Sequence, residues 1–222
     1  MAFRDRADAG RVLAGRLGHL AGRDDVLVLG LPRGGVPVAA EVAQALGAPL
    51  DVLLVRKLGV PRHAELAMGA IASGGVRVLN PAVIETLRIP PHVIDQVAAR
   101  EEVELARREQ AYRRGRQPLD MAGRVVVVVD DGLATGSTMR AAVAALRAQG
   151  PARIVVAVPV GAAETCRELA AEADEVVCAH TPVGFHAVGQ WYDDFSETTD
   201  DDIRAVLARL QGQSPEEDHH GE

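Results

Sequence analysis

The sequence predicts an α/β fold in which a parallel sheet is flanked by helices. Three observations carry that expectation. Short, continuous apolar runs recur along the chain, the clearest being five consecutive valines, Val125 to Val129. Segments with apolar residues at helical spacing lie between them. Hydrophobic residues make up 48% of the 222 and aromatics only 3%, so a sizeable core must be built from Val, Leu, Ala and Ile. Wholly apolar strands alternating with helices are the pattern of a parallel sheet covered on both faces.

The elements follow in order. Arg6 to Leu20 has the apolar spacing of a helix. Val26 to Leu29 is a short buried strand that breaks at Gly30-Leu31-Pro32-Arg33-Gly34-Gly35. Val36 to Leu46 is a helix stopped by Gly47. Leu50 to Val55 is a second apolar strand, ended by the charge and turn residues Arg56-Lys57-Leu58-Gly59-Val60-Pro61. Residues 58–80 form a long excursion, within which Met68 to Ala72 and Val76 to Leu79, separated by Ser73-Gly74-Gly75, pair as a hairpin. Pro91 to Arg114 mixes Glu and Arg at i,i+3 and i,i+4 spacing and reads as a solvated surface helix. Val125 to Val129 is a strand and Ser137 to Ala148 a helix, stopped by Gly150-Pro151. Ile154 to Val158 is a strand, Ala162 to Ala173 a helix, Glu175 to Cys178 a strand, and a short helix follows Asp201. A single domain over 1–211 is expected, with a disordered tail over 212–222.

Composition bounds the function. A net charge of -7 argues against a broad nucleic-acid surface, though not against a local basic pocket. The two cysteines, Cys166 and Cys178, are too few for a disulfide framework and lack metal-ligand spacing. No apolar run reaches the roughly 18 residues of a membrane helix. The N-terminal stretch is charged throughout and lacks a signal-peptide core, so a cytoplasmic location without membrane attachment is expected.

In open α/β sheets the ligand sits beyond the carboxyl ends of the strands. That rule selects the loops 30–35, 56–61 and 130–138. The third reads Asp130-Asp131-Gly132-Leu133-Ala134-Thr135-Gly136-Ser137-Thr138 and leads into a helix. Its small residues let the backbone approach a ligand, and the helix N-terminus presents free N–H groups. Thr135, Ser137 and Thr138 add hydroxyls, which makes a phosphate cradle; an ordinary Ser/Thr helix cap would use one of them and leave the aspartates unexplained. Adjacent like charges at the end of a buried strand need a compensating partner. Sugar hydroxyls or Mg²⁺, which takes oxygen ligands and shares them with substrate phosphate, would serve.

The stretch VVVVVDDGLATGST resembles the signature of the type I phosphoribosyltransferases. The resemblance extends over roughly residues 25–195 and implies that family's fold, with a mobile lid and a small C-terminal hood. It implies binding of 5-phosphoribosyl 1-pyrophosphate with Mg²⁺ at Asp130 and Asp131, and transfer of the phosphoribosyl group to a nitrogenous acceptor, a purine base among the candidates. The 5′-phosphate would sit on Ala134, Thr135, Gly136, Ser137 and Thr138. Pro32-Arg33-Gly34-Gly35 resembles the family's pyrophosphate loop, which often carries a strained peptide bond, and Arg56-Lys57 resembles its next pyrophosphate contact. Residues 58–80 correspond to the lid, with His63 and Glu65 on it, and homodimers are common in the family.

On this resemblance the reaction is a displacement at the anomeric carbon through an oxocarbenium-like state. Arg33, Lys57 and Mg²⁺ would neutralise the departing pyrophosphate, and Asp130 and Asp131 would hold the ribose. Ala134 departs from the hypoxanthine–guanine enzymes, which carry a proton-accepting aspartate there; adenine enzymes have a small residue. The segment Phe185 to Phe195 holds four of the six aromatics in the chain and resembles the hood, with Phe185 a candidate to stack on a base. The alternative for these aromatics is a satellite core. A sensor of phosphoribosyl pyrophosphate or nucleotide, and a phosphoribosyl hydrolase, remain open beside the transferase.

Overall fold

The computed structural model describes residues 2–61, 63–113, 117 and 119–211; the side chains of residues 64, 65 and 211 lie outside that description, as does the predicted tail, 212–222. The first elements are α1 (Arg6–Ala14), β1 (Val26–Gly30), α2 (Gly35–Leu46) and β2 (Leu50–Val52). Then come β3 (Val55–Val60), β4 (His63–Ala72), β5 (Val76–Leu79), α3 (Pro81–Thr86) and α4 (Pro91–Arg113). The chain continues through β6 (Val125–Val129), α5 (Ser137–Arg147), β7 (Arg153–Val160), α6 (Ala163–Leu169), β8 (Glu175–His180) and α7 (Asp200–Gln211). No helix among the described residues is long and apolar enough to cross a membrane.

Five parallel strands form the main sheet in the order β2-β1-β6-β7-β8. Val26, Val28, Val125, Val127 and Val129 pack with α2 on one face; Leu27, Leu29, Val126 and Val128 pack with α5 on the other. Successive side chains in a strand point to opposite faces, so a central strand covered on both sides must be apolar at every position. That is the physical content of the valine run. β1 and β6 run in register from Val26 beside Val125 to Gly30 beside Val129. Their loops therefore leave the sheet side by side.

The predicted strand from Leu50 to Val55 is in fact divided between two sheets. Leu53 N–H donates to Gly30 O of the main sheet at 3.0 Å, while Leu54 O accepts from Ser73 N–H of the second at 3.0 Å. The second sheet is antiparallel, in the order β3-β4-β5. Arg56-Lys57 consequently lies within a strand rather than in a loop, because a half-buried antiparallel strand tolerates charge on its open face. The hairpin expected at Met68–Ala72 and Val76–Leu79 is present, and the excursion over 58–80 is mostly strand, with Leu58, Met68 and Ile71 in the core.

The long helix predicted from Arg6 ends at Ala14, followed by Gly15 and a 3-10 turn at Gly18–Leu20; Leu17 and Leu20 are still buried. α3 was not expected, although Asn80 accepts from Val83 N–H as its cap and Pro81 opens it. α6 is shorter than predicted, and β7 and β8 run longer. α4 is more than a solvated surface helix: Ile94, Val97, Leu105 and Tyr112 are buried, and Arg113 is buried against Asp51.

Candidate active site

The loops after β1 and β6 touch through glycine. Leu31 N–H donates to Val129 O at 2.9 Å. A Cβ on Gly35 would stand 2.6 Å from Val129 O and 2.9 Å from Asp130 Cα, and one on Gly34 would collide with the Asp131 carboxylate. The Pro32–Arg33 peptide is cis. The glycines thus let one predicted ligand loop lie directly on the acidic pair.

The compensating partner of that pair within the chain is Arg6, which the sequence reading missed. Its Nε–H donates to Asp131 Oδ2 at 2.9 Å, and the two side chains are only 12% and 15% exposed. The same guanidinium donates to Ser196 O at 2.7 Å and lies 4.1 Å above the Phe195 ring. Asp130 Oδ1 accepts from Asp131 N–H at 2.9 Å, and the Tyr192 hydroxyl donates to Asp131 O at 2.5 Å. Burial, and then the charge of Asp131, pushes the Asp130 carboxyl well above the usual range. Burial also raises Asp131, while Arg6 pulls it back down.

A carboxyl with a raised folded-state pKa binds its proton more tightly when folded than when unfolded. The folded state therefore loses stability as pH climbs from about 4 through the raised pKa. Asp130→Asn removes that penalty and keeps the acceptor for Asp131 N–H. The variant should melt higher than the parent at pH 8, by about 1 kcal/mol or more, and the gain should shrink at pH 5. Melting curves at the two pH values measure this; an equal gain at both would mean that Asp130 is not held protonated by burial.

The loop 134–138 is braced from below. The Thr165 hydroxyl donates to Ala134 O at 2.7 Å, and a Cβ on Gly136 would stand 2.7 Å from Thr165 Cγ2. Gly136 itself has φ +73, in the left-handed region that glycine adopts freely. α5 starts there without any side-chain cap, so the ordinary-cap alternative does not describe this helix. Ala134, Thr135 and Thr138 are exposed, and Thr135 Oγ1 lies 3.4 Å from Ser137 Oγ.

A cavity of about 420 Å³ joins three of the predicted stretches, with Pro32, Arg56, Lys57 and Thr138 on its wall. α4 adds Arg100, Glu101 and Arg108, which the surface-helix reading left out. Arg56 donates twice to Glu101 Oε2, at 2.9 and 2.6 Å. Arg33 lies outside this wall and pairs with Glu197. A larger cavity of about 610 Å³ lies between α5 and the second sheet; its wall is mainly apolar, including Leu66, Ala70, Val78 and Leu79, and it shares only Thr135 and Ser137 with the signature loop. The smaller, cationic cavity has the chemistry for a polyanion.

Phe185 is half-buried and packs, with Val188 and Trp191, against Phe3, Ala9, Val160 and Tyr192. These aromatics build the satellite core. Two aromatics reach the acidic pair, Tyr192 through its hydroxyl on Asp131 O and Phe195 through its contact with Arg6. His63 is exposed at the start of β4, and the Glu65 side chain lies outside the described residues.

Comparison with known proteins agrees with this architecture. The family model for the phosphoribosyl transferase domain matches residues 63–193, which include the acidic pair and the cradle but not Arg6, the 32–35 loop or Lys57. A Mycobacterium tuberculosis H37Rv protein named "Putative phosphoribosyl transferase Rv0571c" is 53% identical over 207 residues, 93% of this chain and 46% of its own length. The chain thus spans about half the length of that curated relative. The "Bifunctional protein PyrR" of Chloroflexus aurantiacus is 38% identical over 144 residues, 64% of this chain and 72% of the relative. The crystal structure of TT1426 from Thermus thermophilus superposes with a TM-score of 0.86 at 47% identity, covering 95% of this chain and 99% of that one. With its parallel sheet, its acidic pair at the end of β6 and these relatives, the chain belongs to the type I phosphoribosyltransferase family.

Proposed function

We propose that this chain transfers the phosphoribosyl group of 5-phosphoribosyl 1-pyrophosphate to a nitrogenous acceptor, releasing pyrophosphate. The observation that carries the reading is the register of β1 with β6. It sets Asp130 and Asp131 against Gly34 and Gly35, on the loop that leads into the uncapped N-terminus of α5, whose Thr138 lines the cationic cavity. The uncapped α5 N-terminus, with Thr135, Ser137 and Thr138, takes the 5′-phosphate. Asp131 accepts from the ribose hydroxyls. Lys57 makes no ion pair among the described residues and meets the pyrophosphate with Arg56, Arg100 and Arg108. Arg33 joins them once Glu197 is displaced. Catalysis on this reading is positioning and charge stabilisation, with no protein nucleophile.

The donor set suits Mg²⁺ brought by the substrate. Two adjacent aspartates are present, one with an oxygen already engaged by Arg6 and the other raised by burial, which a nearby divalent cation would draw to its ionised form; Mg²⁺ commonly combines one or two carboxylates with waters and substrate phosphates. Asp130 and Asp131 would hold the hydrated ion, which supplies charge neutralisation at the leaving group. Ala134 is exposed and has no proton-accepting group, which favours an acceptor that needs no base at that position.

A thermal-shift titration with 5-phosphoribosyl 1-pyrophosphate, with and without Mg²⁺, tests the donor half. Ligand at 100 times its Kd should stabilise the fold by about 2.7 kcal/mol. A panel of nucleobases, followed by pyrophosphate release, then tests the acceptor. No shift at millimolar ligand would refute the donor site. A shift without pyrophosphate release for any base would favour a sensor.

A further inference from the structure

We infer that Arg6 is a positioning residue for the sugar-binding carboxylate: its Nε–H fixes Asp131 through Oδ2, so that Oδ1 faces the ribose hydroxyls. The inference rests on the ribose role proposed for Asp131, and adds a residue outside the segment matched by the family model.

The geometry has three parts. First, Arg6 engages one oxygen only; Asp131 Oδ1 accepts no hydrogen bond among the described residues. A carboxylate held by one oxygen keeps its second as an oriented acceptor. Second, the guanidinium is itself fixed, by Ser196 O on one side and the Phe195 ring on its face. Planar stacking with a fixed fork of donors is what arginine supplies and lysine does not. Third, the backbone carrying Arg6 is anchored on both sides. Before it, Phe3 N–H donates to Trp191 O at 2.7 Å, Asp193 N–H to Phe3 O at 2.8 Å and Asp194 N–H to Arg4 O at 2.9 Å. Asp5, also before it, caps α1 by accepting from Asp8 N–H; after it, Gly10 lies so close to α2 that a Cβ there would stand 2.7 Å from Val38 O. Asp131 is 125 positions away in sequence, so this is a long-range contact made by a segment tied at both ends.

A purely structural clasp would hold the C-terminal segment to the sheet and affect every ligand alike. A positioning role affects only a ligand that uses the carboxylate. The experiment is therefore a comparison of two probes, ribose 5-phosphate and inorganic phosphate, on the full chain, with Arg6→Gln, Arg6→Lys, Asp131→Asn and the double variant Arg6→Gln/Asp131→Asn. Arg6→Gln should weaken ribose 5-phosphate about tenfold or more and leave inorganic phosphate within about twofold, with Arg6→Lys intermediate. The double variant should bind ribose 5-phosphate no worse than Asp131→Asn alone, because two residues acting through one contact are not additive. Equal loss for both probes, full additivity, or unchanged affinity in Arg6→Gln would overturn the role of Arg6 while the ribose site stands. If the unaltered chain binds phosphate but gains nothing from the sugar, the ribose site itself falls, and the inference with it. Should Arg6→Gln fail to fold, Arg6→Lys against Asp131→Asn carries the same comparison.

Discussion

Gly35→Ala is expected to lose ligand binding and stability together. The added methyl would meet Val129 O, at the end of β6, and the Cα of Asp130, the next residue; both are backbone atoms. β6 is paired along its whole length with β1 on one side and β7 on the other, so it cannot retreat. Overpacking of this kind costs about 1–3 kcal/mol. The strain would be released by moving the 32–35 loop away from the acidic pair, so affinity for phosphoribosyl pyrophosphate should fall at least about tenfold, some 1.4 kcal/mol. Gly34→Ala makes a useful contrast. Its methyl would collide with the Asp131 carboxylate where Arg6 holds it, so what must give is a side-chain ion pair and not the backbone of a paired strand. Binding should suffer there with much less change in melting temperature. Melting curves and calorimetric titrations of both variants check this; a Gly35→Ala protein that melts and binds like the parent would show that the loops are not packed in this way.

Arg113→Ala should be the most destabilising single truncation among the ion pairs. Arg113 Nη2 donates to Asp51 Oδ2 at 3.2 Å and to Val52 O at 2.7 Å, and both side chains are buried. Asp51 also accepts from Val52 N–H at 2.7 Å and Leu119 N–H at 3.3 Å. Removing the guanidinium leaves a buried carboxylate without its countercharge, at a cost of about 3–5 kcal/mol. Urea denaturation measures it. The double change Asp51→Leu with Arg113→Met should recover much of the loss, since apolar pairs often replace buried ions without penalty. A loss below about 1 kcal/mol in Arg113→Ala would mean that the pair is hydrated. The same contact ties α4 to β2, so the truncation should also disturb Glu101 and Arg108 at the cationic cavity.

What the sequence revealed was what its local pattern encodes. Strand β6, its acidic pair and the cradle are contiguous, and each followed from neighbours within a few positions. Arg6, Arg100 and Arg108 were invisible because their roles depend on which distant element lies opposite. Nothing near position 6 marks a contact with position 131. The division between β2 and β3 was hidden for another reason. Leu53 and Leu54 are both apolar and buried, and only their backbone partners distinguish the two sheets. Asp51, by contrast, was a visible signal that went unused: a carboxylate inside an apolar strand requires a partner. Asn80-Pro81 likewise announced a helix start. The aromatic cluster was located correctly, but composition alone could not tell Phe185, which packs inward, from Phe195.

The strand order has a consequence for dividing this chain. The segment matched by the family model begins at His63 and so excludes β1, which lies between β2 and β6. A fragment cut at that boundary would present β6 as a bare edge: five valines with one row of backbone N–H and C=O groups unpaired. Such an edge is a template for pairing with another copy, and with no charge or proline to interrupt it, the expected product is aggregate rather than a smaller soluble unit.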